Sequence, residues 1–138
     1  MIKDSFELLV NKRDWSADFS WLAELVKVVR KKYIIRKAVS IALVSAVEMK
    51  NLNRVYRHKD RVTDVLSFTF DSADILGEII ICLPQASMQA RQKKHSLRKE
   101  LQVLTVHGLL HLLGYDHELG AKEELRQQQA EQEILKKI

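Results

Sequence analysis

Three histidines in the stretch His107-Gly108-Leu109-Leu110-His111-Leu112-Leu113-Gly114-Tyr115-Asp116-His117 carry the most specific chemistry available to this chain. His107 and His111 are four residues apart, so on a helix their imidazoles project from one face about a turn apart. Gly114 falls where such a helix can stop, because glycine adopts the left-handed conformation without a Cβ clash. A chain that folds back there brings His117 toward the other two. Three neutral nitrogen donors around an open fourth position are the pattern of catalytic zinc. The bland alternative is three core or hydrogen-bonded histidines. It leaves three imidazoles unpaired in a leucine-rich segment, which is costly, and a metal ion removes that cost. The spacing points to a metal-dependent enzyme.

Three neutral imidazoles leave the charge of a zinc ion undiminished, and comparable sites lower the pKa of bound water to about 7. A phosphodiester that gains negative charge during hydrolysis needs a cation nearby, and Arg57 offers a planar, permanently charged fork. Its alternative role is that of a surface arginine at a helix end. Asp116 borders a ligand and either orients a histidine, assists proton transfer or simply forms the turn. Asp64 either supports the site or caps a turn, with the structural role favoured. Ser67 points at a cleft or satisfies backbone, and Tyr115 stacks on a base or packs beneath the turn. His58 and His95 lie in basic polar segments and are expected to be exposed, with no metal role.

The chain has 138 residues, 46% of them hydrophobic and 30% charged, which suits one soluble domain spanning 1–138. No apolar run approaches the ~20 residues of a membrane span. The opening Met1-Ile2-Lys3-Asp4-Ser5 lacks a signal-peptide core. Cys82 is the only cysteine, which excludes an internal disulfide and fits a reducing cytoplasm. Its apolar surroundings make it a small buried hydrophobe. Net charge is +5, yet residues 118–138 carry five acids against four bases, so the excess lies upstream. It falls in three groups, around Arg30–Lys37, Arg54–Arg61 and Arg91–Lys99. Any one group suits a solvated helix face, whereas three together favour a polyanionic substrate.

Hydrophobic periodicity places strands over 5–11, 39–47, 65–70 and 75–83, with a turn over 14–18. Helices are expected over 19–32, 48–56, 84–94, from Ser96 to near Gly114, and over 123–137. Pro84 suits a first helical turn and Ser96 an N-cap. The order β-α-β-α-β-β-α-α-α gives an α/β sandwich of one mixed four-stranded sheet with about five helices. The histidine-bearing helix is apolar on most sides, so it should be buried and central, holding its ligands stiffly.

The histidine offsets match the extended zinc motif of metzincin proteases, H-E-x-x-H-x-x-G-x-x-H. Gly108, however, stands where that family keeps its general-base glutamate, and glycine cannot take a proton. The longer string HGLLHLLGYDH resembles the signature of the YbeY family of bacterial endoribonucleases. Asn53-Arg54-Val55-Tyr56-Arg57 followed by Thr63-Asp64-Val65-Leu66-Ser67-Phe68 resembles that family's second block, and Leu76-Gly77-Glu78-Ile79-Ile80-Ile81-Cys82 its third. The blocks keep the family's order over most of residues 40–120. Departures are Val62 and Thr69 where prolines are common, Glu78 where aspartate is usual, and glutamines beyond His117.

The resemblance implies a zinc-dependent endoribonuclease acting on single-stranded RNA, in small-subunit ribosomal RNA maturation and ribosome quality control. His107, His111 and His117 would hold one zinc ion per chain, and Arg57 would be the functionally important arginine of the Tyr-Arg pair. RNA and the small ribosomal subunit would be its partners, with no membrane and no small organic cofactor. Two other readings use the same residues: a ribosome-assembly factor with a structural metal, and a zinc peptidase whose carboxylate comes from elsewhere in the fold.

Overall fold

The run Ile79-Ile80-Ile81-Cys82 is apolar on both sides of the pleat, as expected of a strand covered on two faces. In the computed structural model, which describes residues 6–11 and 16–138, it lies near the middle of one sheet. The strands are β1 (Leu8–Asn11), β2 (Ala38–Val44), β3 (Val65–Thr69) and β4 (Ile75–Cys82), in the order β1-β2-β4-β3. β1 runs parallel to β2 and β2 to β4, while β3 is antiparallel to β4, with Ser67 opposite Ile79. The expected mixed four-stranded sheet is present.

The helices are α1 (Leu22–Lys32), α2 (Ala46–Arg57), α3 (Leu83–Gln92), α4 (Leu97–Leu112) and α5 (Ala121–Leu135), with a short 3-10 turn at His117–Leu119. Alternate side chains of the strands separate two cores. Val39, Ile41, Leu43, Ile79 and Ile81 join Leu25 and Val29 of α1, Leu101 and Leu109 of α4, and Ile134 of α5. Val44, Ile80 and Cys82 instead meet Met49 of α2 in a smaller core. The histidine helix α4 buries ten of its 16 residues and is the central helix of the larger layer.

α4 comes so close to the sheet because two glycines permit it. A Cβ on Gly108 would lie 2.9 Å from both the Ser67 Oγ and a methyl of Ile79. A Cβ on Gly77 would meet the Phe68 carbonyl at 2.3 Å and a Leu112 methyl at 2.8 Å. Gly108 is therefore a contact position against the sheet. A glutamate there, as in the metzincin motif, has no room.

Most boundaries fall within two or three residues of those expected. At the junction of β2 and α2 the strand ends three residues early, at Val44, and the helix begins two residues early, at Ala46. Ser45 and Glu48 form a capping box, each side chain bonded to the other's backbone N–H at 3.2 Å. This reciprocal cap satisfies two orphan donors and outweighs the β preference of Val47. Of the strand expected over 5–11, Leu8–Asn11 is seen, and the turn expected over 14–18 lies partly outside the described residues.

Candidate metal centre

α4 stops at Leu112 through a pair of reversed hydrogen bonds, Gly114 N–H to the His111 carbonyl and Tyr115 N–H to the Leu110 carbonyl, each 3.1 Å. This Schellman motif needs a residue at positive φ, and Gly114 supplies it at 105°. The chain then turns back. Asp116 caps the 3-10 turn by accepting from the Glu118 N–H at 2.9 Å, which places His117 over the end of α4.

His111, Asp116 and His117 each bring a ligand atom within 4.8 Å of the others. His107 stands outside that trio but next to it, its ring centroid 5.2 Å from that of His117. It lies one turn before His111 and lines the same cleft. Its Nδ1 is held at 2.5 Å by Oε1 of Glu131 on α5, which leaves Nε2 as the free donor. The hydrogen bond to Glu131 raises the imidazole pKa, against the opposing effect of burial. A carboxylate behind a histidine of this kind fixes the ring and raises its basicity toward a metal. The buried Nδ1 of His117 has no hydrogen-bond partner. An orphaned buried nitrogen beside a second imidazole and a carboxylate is what a bound cation would satisfy, so the residues fit a divalent metal.

The cleft before these donors has a volume of about 250 Å³. Its walls are Arg57 from the end of α2, Val65 to Phe68 of β3, His107 and His111 of α4, and His117 with Glu118 of the 3-10 turn. Arg57 donates to Glu118 Oε1 at 3.1 Å while staying partly exposed. Arg57 thus lines the cleft beside the 3-10 turn that carries His117, and Asp116 lies within the donor trio.

The remaining candidates separate cleanly. Ser67 lines the cleft and makes a long 3.4 Å bond to the Gly108 carbonyl. Asp64 accepts from the Val65 N–H at 2.8 Å and from Gln89 at 3.1 Å, and its charge also reaches His107. The Tyr115 hydroxyl meets that of Tyr33 at 3.0 Å, so this ring packs beneath the turn. His58 is exposed as expected. His95 is not: it is half-buried, with Nε2 at 2.8 Å from Glu100, a fully buried carboxylate of α4. Among the basic groups, Lys93 is drawn to the same Glu100, Lys32 pairs with Glu133 and Arg98 with Asp18. Of the group around Arg54 to Arg61, Arg57 lines the cleft.

Sequence reasoning missed Glu118, Gln127 and Glu131. Gln127 is buried and donates to Glu131 Oε1 at 3.2 Å and contacts His107 Nδ1 at 3.3 Å. The available signal was a Gln-Glu pair at i, i+4 spacing, interleaved with the buried Ala130 and Ile134.

Comparison with known proteins agrees with this geometry. The family model described as "Endoribonuclease YbeY" matches residues 4–138. The chain is 43% identical over 104 residues to endoribonuclease YbeY of Aquifex aeolicus, covering 72% of this chain and 69% of that one. It is 42% identical over 105 residues to the Finegoldia magna protein of the same name, covering 72% and 68%. The solution structure of TM1509 from Thermotoga maritima superposes with a TM-score of 0.66 at 31% identity, over 96% of this chain and 87% of that one. The histidine centre, the cleft and the sheet that frames them are those of a member of the endoribonuclease YbeY family, to which this chain belongs.

Proposed function

We propose that this chain is a zinc-dependent endoribonuclease that cuts single-stranded RNA in the cytoplasm, in small-subunit ribosomal RNA maturation and ribosome quality control. The observation that carries the reading is that His107, His111 and His117 line one cleft together with Arg57. The three imidazoles would hold one zinc ion per chain, His107 through Nε2. When bound, such an ion supplies Lewis acidity and makes hydroxide available near neutral pH. Arg57 binds and orients the phosphodiester, exchanging the exposed carboxylate of Glu118 for a phosphate oxygen. Asp116 holds the turn that presents His117, and its carboxylate, near the ligand atoms of His111 and His117, would orient a histidine or accept a proton. Glu131 keeps the His107 proton on Nδ1.

Asp116 also favours a second reading. Its carboxylate lies close enough to His111 and His117 to be a fourth ligand. Four protein donors close a site and suit a structural ion in an RNA-binding ribosome-assembly factor. The peptidase alternative draws no support from position 108, which packs against the sheet.

The deciding experiment is RNA cleavage by metal-stripped protein before and after zinc is restored, with product ends mapped. Zinc-dependent cutting that His111→Ala abolishes supports the enzyme. RNA binding without cutting in any metal state supports the assembly factor. Arg57→Ala should keep its zinc while losing about a hundredfold or more in kcat, as happens when a group stabilising transition-state charge is removed. Full activity in that variant would take Arg57 out of the mechanism.

A further inference from the structure

We propose that Tyr56, backed by Phe68, is a stacking platform for an unpaired RNA base beside the candidate metal centre. The inference rests on the ribonuclease reading and specifies how that site grips its substrate. α2 carries an apolar stripe of Met49, Leu52 and Tyr56. Met49 is fully buried in the smaller core and Leu52 packs against it. Tyr56 continues the stripe but leaves the core, remaining 62% exposed. Its ring stands edge-on to Phe68, with centroids 5.1 Å apart and planes at 61°. Phe68 lines the cleft that also holds Arg57 and the three histidines.

An exposed ring braced by a second ring keeps one π-face toward solvent and little side-chain freedom to lose on binding. The next residue along the chain is the cleft arginine. Single-stranded RNA is recognised by this pairing, a ring for the base and a cation for the backbone. A duplex keeps its bases stacked inside and offers Tyr56 nothing, so the platform selects unpaired segments. Tyr115, the aromatic residue among the candidate ligands, is unavailable for the task. Its hydroxyl is tied to Tyr33 and its ring lies 4.5 Å from the Arg126 guanidinium.

The test uses metal-free protein, which binds without cutting, and a fluorescent, unstructured RNA oligonucleotide followed by anisotropy. Tyr56→Leu, which keeps apolar bulk without a π-face, should weaken binding about tenfold, whereas Tyr56→Phe and Tyr56→Trp stay within about twofold. The salt dependence should be the same in all four proteins, because no phosphate contact changes. With zinc restored, the leucine variant should show a raised KM and a largely retained kcat. A 2-aminopurine base in the oligonucleotide should lose fluorescence on binding wild type, as a base stacked on a ring does. Leucine binding as tightly as tyrosine, phenylalanine as weakly as leucine, or undiminished 2-aminopurine fluorescence would each overturn the platform. Wild-type protein that binds RNA through Tyr56 yet never cuts it would remove the ribonuclease reading and leave the platform standing.

Discussion

At the scale of single residues, the candidate donors could be picked from the sequence and the residues behind them could not. His107, His111, Gly114 and His117 sit close together in sequence, and helical geometry alone relates them. Glu131 is 24 residues from His107 and reaches it only because α5 packs on α4, a contact that no local spacing encodes. Its role has a measurable consequence. Glu131→Gln can still accept from His107 Nδ1 but has lost the charge that raises the basicity of the ring. Loss of such a supporting carboxylate commonly weakens metal affinity about 10- to 100-fold. Competition with a chelator of known affinity should show a weakening of that size, with one zinc per chain still bound at saturation. Unchanged affinity would place His107 outside the coordination shell. Tyr56 illustrates the opposite difficulty. Its helical spacing groups it with Met49 and Leu52, but spacing cannot tell where a stripe runs off the edge of a core.

Elements were read well where pattern and tertiary context agree, and less well where local chemistry overrides pattern. The run from Val39 to Val47 is β-rich throughout, and only the Ser45–Glu48 box breaks it. The approach of α4 to the sheet depends on Gly108, so Gly108→Ala sets two effects against each other. Alanine favours a helix by about 1 kcal/mol over glycine, whereas overpacking costs about 1–3 kcal/mol. The Cβ contacts at 2.9 Å from Ser67 and Ile79 decide for overpacking. Urea denaturation should therefore find the variant destabilised; a stabilised variant would mean the helix can lift freely. α4 also carries Glu100, fully buried at its first turn. Burial pushes this carboxyl pKa up, but hydrogen bonds from Gln89, His95 and Lys93, with the Lys93 charge, hold it below 4.5. A lowered folded-state pKa stabilises the fold fully above the unfolded value, and that contribution is lost as pH falls through the folded value. Glu100→Gln should cost about 2 kcal/mol at pH 7, in the range for hydrogen bonds made to a charged group, since Lys93 stays half exposed. The difference from wild type should shrink in denaturation curves recorded below pH 4.5. A difference independent of pH would mean that shape, not charge, matters at this position.

Across the whole molecule, the candidate centre draws on residues from α4, the turn after it and, through Glu131, α5. An ion bound there stabilises the folded state by mass action. At a free concentration of 1,000 times Kd this amounts to about 4 kcal/mol, roughly a 14 °C rise in melting temperature for a chain of this size. Calorimetry of zinc-loaded and chelated protein should show that shift, and its absence would argue against a site that bridges these segments. The fold class was accessible from sequence because alternating strands and helices allow few layer arrangements. The strand order was not, because the sequence pattern gives no order in which strands pair.

The Glu131–His107 bond has one further effect. An ion held by His107 would be tied through this bond to the seat of α5 on α4, so chelated protein is expected to fray at that helix first. Limited proteolysis or hydrogen exchange would locate the loosening there.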